Sequence, residues 1–328
     1  MSKEGGLAYS ERRPAIRSAP LRAPGGGPLS LKSLLVLCLP LALLACAREP
    51  RPVLRLSSAP AQLSLEQPGS AELVVDWSVL DPSALDGKEA RLFLHLVSPD
   101  GRLARTFDAP LTAALTSGEL RRRTVRLWQS ALDPALPAGR YELRIGLYEP
   151  ASRRRWPLVS TLPALRGRAF RAAQVEVRAP RQPAPKLALG EEWLAAEPGQ
   201  DRQVLSRSWL REGGEVELEE LPGPQLLSLH LGLPEPREAS QRLFRAGESM
   251  PSLTLSSACF KAPVEVVGVG SHEVRLPLAP VAGGCRIELA PNFVDVLGPR
   301  HRSVALEALF WDPLPATGTA GFPVEEKL

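Results

Sequence analysis

The sequence predicts an all-β chain of two β-sandwich domains behind an N-terminal signal, and three observations predict it. Apolar residues recur at every second position in short runs. Turn-forming Pro, Gly, Asp and Ser interrupt those runs every 8–12 residues or so, the spacing of an all-β domain. No long stretch carries the 3.6-residue repeat of an amphipathic helix. A chain of 328 residues is long enough for two domains of roughly 100–200 residues each. The expected divisions are a leader and signal at 1–45, a tether at 46–52, a first sandwich at 53–178, a linker at 179–186, a second sandwich at 187–312 and a tail at 313–328.

Residues 33–45 form an uncharged apolar run after Lys32. Thirteen residues are too few to span a bilayer core, which takes about 20 in a helix. They match the apolar region of a secretory signal. The run ends in Leu43-Leu44-Ala45-Cys46, which resembles the lipobox of bacterial lipoproteins. That resemblance implies a diacylglycerol on the Cys46 sulfur, cleavage before it, and a membrane partner reached through the lipid. Ala47 after the cysteine implies the outer membrane of a Gram-negative envelope. Residues 1–30 are long for the region ahead of an apolar run, which leaves open a later start near Leu29 or Leu31 or a genuine long leader. The tether that follows, Ala47 to Pro52, is short and stiffened by Pro50 and Pro52.

In the first sandwich, alternation runs through Leu63 and Leu65, then Ala71, Leu73, Val75, Trp77 and Val79, which makes Trp77 a core residue. Leu92, Leu94 and Leu96 continue the pattern up to the turn Ser98-Pro99-Asp100-Gly101, where Pro suits the second position and Gly tolerates positive φ. A strand near 103–108 completes that hairpin. Tyr141, Leu143, Ile145 and Leu147 form another strand, and one from Ala172 or Ala173 to Val177 closes the domain. Residues 179–186 hold three prolines and no apolar periodicity, the mark of a linker. The second sandwich repeats the style in Leu227 to Leu233, Val274 to Leu278 and Val304 to Phe310. Pro277 points to an edge strand or a strand end.

Of four cysteines, Cys38 lies in the signal and Cys46 is the lipid site, which leaves Cys259 and Cys285. Period-2 parity points both into one core, so in an oxidising compartment they read as a disulfide. Two buried thiols or a metal pair are the rival readings, and His272 is the one histidine between them.

The formal charge of +4 is concentrated in the leader: from Cys46 onward there are 34 basic and 34 acidic residues. A neutral body argues against a nucleic-acid partner, which requires a basic stripe. His95 and His230 fall on the polar side of their strands, and His272 and His301 fall at turns; none has a second ligand at metal spacing. No nucleophile motif or phosphate loop is present, so neither an enzyme nor a cofactor is expected. Two arginine triplets, Arg121, Arg122, Arg123 and Arg153, Arg154, Arg155, fall in expected loops. They are candidate contacts for an anionic glycan, a lipid headgroup or an envelope protein, against the plainer reading of solvated turns. Trp156 and Trp193 are candidate platforms for sugar rings, against the plainer reading of packed core or interdomain residues.

The stretch from Arg91 through Phe93, His95, Leu96, Asp100, Gly101 and Arg102, followed by Pro137, Gly139, Tyr141, Leu143, Gly146, Leu147, Tyr148 and Pro150, resembles an Ig-like module of bacterial envelope proteins and membrane sugar transferases. Glu149 stands where those modules carry Asp. The spacing of Gly190, Trp193 and Glu197, then Trp209, then Pro299, Arg300, Val304 and Leu306, is similar to the jelly-roll-like sandwich that accompanies it. The resemblance implies two sandwiches in a surface-glycan setting and supplies no catalytic residues. The expected function is that of a non-enzymatic envelope lipoprotein that binds or scaffolds during surface polysaccharide assembly or export. A glycan-binding module is the alternative, and a glycan hydrolase a lesser one.

Overall fold

The structure, a computed structural model, describes residues 51–111, 118–180, 185–199, 204–235, 241–297 and 300–314. The signal, Cys46, part of the linker and most of the tail lie outside the described residues. Eleven strands come first: β1 (Leu54–Ala59), β2 (Gln62–Leu65), β3 (Gly69–Val79), β4 (Arg91–Val97), β5 (Leu103–Thr106), β6 (Ala109–Pro110), β7 (Leu120–Gln129), β8 (Gly139–Tyr148), β9 (Leu158–Ser160), β10 (Ala164–Leu165) and β11 (Ala169–Val177). Thirteen follow: β12 (Lys186–Leu189), β13 (Glu197–Pro198), β14 (Ser206–Trp209), β15 (Gly214–Glu219), β16 (Gln225–Leu233), β17 (Gln241–Phe244), β18 (Ser252–Ser256), β19 (Val264–Val267), β20 (Gly270–Leu278), β21 (Cys285–Pro291), β22 (Phe293–Leu297), β23 (Arg300–Arg302) and β24 (Ala305–Pro313). The fold is all-β, with one 3-10 turn at Pro82–Ala84 among the described residues.

Sheet I has the order β7-β3-β1-β9, and sheet II the order β10-β11-β8-β4-β5 with β2 on β11 and β6 on β4. Their inward residues interlock: Leu56, Leu73, Val75, Trp77 and Leu127 from sheet I meet Leu92, Leu94, Leu143, Ile145 and Val175 from sheet II. Sheet III (β12-β15-β21-β18-β19) and sheet IV (β13-β14-β24-β16-β20) enclose a second core around Val216, Leu255, Ile287, Leu229, Leu276 and Leu306. The strands β17-β22-β23 make a small sheet V. As Pro277 implied, β20 is an edge strand. Here the missing N–H removes no interior ladder bond.

The polar side of β16 does not face water. Sheet IV lays its outer face on the outer face of sheet I, so Ala308 and Phe310 of β24 join the first core. A bulge in β24 opposite His230 and Leu231 makes this possible. It shifts the alternation so that Leu306 and Leu309 both serve the second core while Ala308 and Phe310 face the other way. His230 stacks against Trp128 at 4.4 Å and Phe310 at 5.7 Å in this seam. Its position corrects the expectation of a solvent-facing strand side. Polar contacts flank the rings. Asp312 accepts from the Ser70 backbone N–H at 2.8 Å and hydroxyl at 2.6 Å, and Arg126 donates to Glu273 at 2.6 Å.

Candidate functional site

The arginine triplet at 121–123 is not in a loop. It occupies β7, where each guanidinium is already engaged inside the fold. Arg121 pairs with Glu119 at 2.6 Å. Arg122 grips both oxygens of Asp76, at 2.7 and 3.1 Å, and that hydrogen bonding holds the carboxyl below its ordinary range. Arg123 shares the inward parity of Val125 and donates to the Pro110 carbonyl at 3.0 Å, and burial pushes its pKa down. Three consecutive arginines mask the alternation that resumes at Val125 and Leu127, which is why this strand does not read from sequence.

The ring platforms are also corrected. Trp156 is 2% exposed and belongs to the first core. Trp193 is 8% exposed and donates its indole N–H to the Glu215 carbonyl at 2.8 Å. Neither presents a face to a sugar. Cys259 and Cys285 are joined in a disulfide that ties the loop after β18 to the start of β21 inside the second core.

The triplet at 153–155 does sit in the turn after β8, and Arg153 adopts a left-handed conformation at φ +56°. Such a backbone costs a residue with a Cβ about 1 kcal/mol or more. Arg153 and Arg154 are exposed. Arg155 lies over the Phe93 ring at 4.5 Å and donates to the Gly167 carbonyl at 2.8 Å. Arg168, itself left-handed at φ +58°, returns a bond to the Arg155 carbonyl at 2.6 Å. These reciprocal bonds hold the turns at 149–157 and 165–169 side by side.

Next to these turns, pairing on the outer face of sheet II builds a polar surface. His95 aligns with Arg144 of β8, which aligns with Arg171 of β11. One register step on, Val97, Glu142 and Gln174 align. Glu142 accepts from Arg144 Nε at 2.6 Å and from Arg171 Nε at 2.7 Å. Partial burial raises the pKa of Glu142, but the two arginines outweigh that and hold it below its ordinary range. Further along, Tyr148 donates to Asp108 at 2.9 Å, and His95 Nε2 stands 3.6 Å from the same carboxylate. Burial, with the bond to Asp108, pushes the Tyr148 phenol up to about 12; burial also lowers His95.

A groove of about 240 Å³ opens on this face between the turn Ser98–Gly101 and strands β8 and β11. Arg140, Arg144, Arg171 and Gln174 line it, with Glu142 as its carboxylate. Fixed guanidinium groups of this kind bind carboxylate or phosphate and hydroxyl oxygens. Among the described residues no cluster of three His, Cys, Asp or Glu could hold a metal. Sequence reading missed Arg140, Arg144 and Arg171 because each is one polar member of an alternating strand. Only the pairing of β8 with β11 reveals that Arg144 and Arg171 share a row.

No known family pattern matches the chain, and no curated protein is significantly similar to it. Among solved structures it is similar to the secreted serine protease VesC from Vibrio cholerae, at 14% identity over 79% of this chain and 51% of that one, with a TM-score of 0.26. The chain thus spans about half the length of VesC. A carbohydrate-binding module of the β-sandwich superfamily matches at 9% identity over 80% of this chain and 99% of its own, TM-score 0.20. A β-glucuronidase from Bacteroides uniformis matches at 11% identity over 82% and 31%, TM-score 0.23. Likeness at these scores carries no argument about the site. Among the described residues no helix is long and apolar enough to cross a membrane.

Proposed function

We propose that the chain is a non-enzymatic, lipid-anchored binding protein of the cell envelope that holds an acidic polysaccharide on the outer face of sheet II. The observation that carries this reading is the groove lined by Arg140, Arg144 and Arg171, continued by the paired turns that expose Arg153 and Arg154. Three guanidinium groups meet one carboxylate, Glu142, at the groove, so positive charge is left over for a ligand. The left-handed Arg153 supports the same reading, since an exposed arginine is kept at a backbone conformation that glycine adopts at less cost. In this setting the protein would hold or align a polymer during surface polysaccharide assembly or export, with its membrane partner reached through Cys46.

Affinity electrophoresis in gels containing polygalacturonate tests the site. The parent should be retarded by this polyuronate, less so as salt rises, and not by neutral dextran. Replacing Arg140, Arg144 and Arg171 by Gln should weaken binding about tenfold, taking somewhat under 1 kcal/mol for each exposed contact. Unchanged migration of the triple variant would remove the site. The anchor is tested separately by incorporation of labelled palmitate, which the Cys46→Ser form should lose.

A further inference from the structure

The second sandwich carries a separate groove of about 630 Å³, within the size range of small-molecule sites. Leu194 and the small side chains of Ala195 and Ala196 form its apolar lining, and Glu197, Arg211, His301 and Arg302 supply its polar groups. These residues come from distant parts of the chain. The segment holding Leu194 is bonded to β14 through the Trp209 carbonyl at 2.8 Å, and β23 brings His301 and Arg302 by pairing with β22.

The polar groups are held in fixed directions. Glu197 accepts from the Trp209 indole N–H at 3.3 Å, from Arg302 Nη1 at 3.4 Å, and more closely from Arg302 Nη2. The guanidinium carbons of Arg302 and Arg207 lie 5.1 and 5.6 Å from the centre of the Trp209 ring. Arg207 is in turn pinned to Glu307 at 2.6 Å. Arg302 is mostly covered, at 15% side-chain exposure, whereas Glu197 keeps 43% of its side chain open. The pair therefore presents a neutralised but accessible carboxylate, suited to accepting hydrogen bonds from hydroxyl groups. His301 is engaged with Glu212 at 3.2 Å. Arg211 is exposed, and its guanidinium has no partner among the described residues. It is a cation set beside a hydroxyl-accepting pair, with Ala195 and Ala196 leaving room for a ring.

We infer that this groove is a second binding site, for a hydroxyl-bearing carboxylate about one sugar ring in size. Glu197 and Arg302 take the hydroxyl groups, and Arg211 takes the carboxylate. The inference stands on this groove alone and does not require polysaccharide binding on sheet II.

Titration of the full-length protein with free glucuronate and with glucose, followed by ligand-observed NMR, tests it. Glucuronate should bind with a Kd of the order of 1 mM, roughly fivefold to tenfold more tightly than glucose. Arg211→Ala, at an exposed position, should bring glucuronate down to the level of glucose while the melting temperature stays unchanged. Glu197→Gln should weaken both sugars alike. The Arg144→Gln, Arg171→Gln variant should bind glucuronate as the parent does, which separates this groove from the face of sheet II. Absence of binding at about 50 mM glucuronate would overturn the inference. So would equal affinity for the two sugars, or an Arg211→Ala variant that keeps the parent's preference.

Discussion

His230 shows how much one side chain can depend on what covers it. Its Nε2 is sealed from water without a hydrogen-bond partner in the seam between Trp128 and Phe310, though the residue as a whole is only partly buried. Burial lowers its pKa to about 4, with Arg126 and Arg275 acting in the same direction and Glu273 opposing them. The unfolded chain takes up a proton near the ordinary value of 6.5 while the folded chain does not. Between those two values the unfolded state holds more protons, so stability is complete above 6.5 and declines as pH falls toward 4. The loss at pH 4 from this group is up to about 3 kcal/mol. Urea unfolding at pH 7, 5.5 and 4.5 should show that decline, and His230→Leu should flatten it. An equal slope in the variant would place the acid sensitivity elsewhere. Sequence parity correctly put His230 on the strand face opposite Leu229 and Leu231. It could not say that another sheet lies on that face, because alternation records which residues share a side and not what the side meets.

Strands read from the sequence where alternation is unbroken, as in Leu92 to Leu96 and Tyr141 to Leu147, and are lost where it is interrupted. The uncertainty between Ala172 and Ala173 has a structural cause: a bulge between Arg171 and Ala173 puts both alanines in the core. Two buried neighbours in one strand cannot arise from a strict period of two. In β8 the informative residue is Gly146, which entered the sequence reading through the resemblance to an Ig-like module and without a physical reason. It lies opposite Phe93, and a Cβ there would stand 2.4 Å from the Phe93 ring and 2.9 Å from the Arg168 carbonyl. Absence of a side chain thus lets the ring lie flat on β8 and lets the arginine turns close over it. Gly146→Ala should cost about 1–3 kcal/mol by overpacking. It should also loosen the turn at 165–169, seen as faster amide exchange at Gly167 and Arg168. A variant as stable as its parent would mean that Phe93 can swing aside freely.

At the scale of the molecule, four sheets stack in the order II, I, IV, III, and the described residues from Arg51 on form one compact unit. Proline-rich composition at 179–186 marked a connection between two sandwiches. It gave no sign that the sandwiches also share a packed seam, because the contacts that join them are separated by 73 to 242 residues. Ser130 and Leu309 exchange bonds across it, and Ser206 reaches Asp133 at 3.0 Å; Arg105 is paired with the same buried Asp133 at 3.8 Å. Burial raises the Asp133 pKa despite that arginine, so the folded state takes up this proton more readily than the unfolded chain and gains stability as pH falls, opposite in sign to His230. Both sandwiches should melt in one calorimetric transition. Trp128→Ala, which removes the stack on His230 and Phe310, should split it in two or broaden it. Two transitions already present in the parent would mean that the seam contributes little.

The position of β24, after every other described strand, has a consequence for biogenesis. Phe310 completes a core whose other members lie almost entirely before residue 178. During synthesis from the N-terminus, the first sandwich must therefore wait, with an apolar gap beside Trp128, until residues 305–313 emerge. A nascent chain halted before β24 would offer that gap to proteases and chaperones, and neither half would be finished ahead of the other.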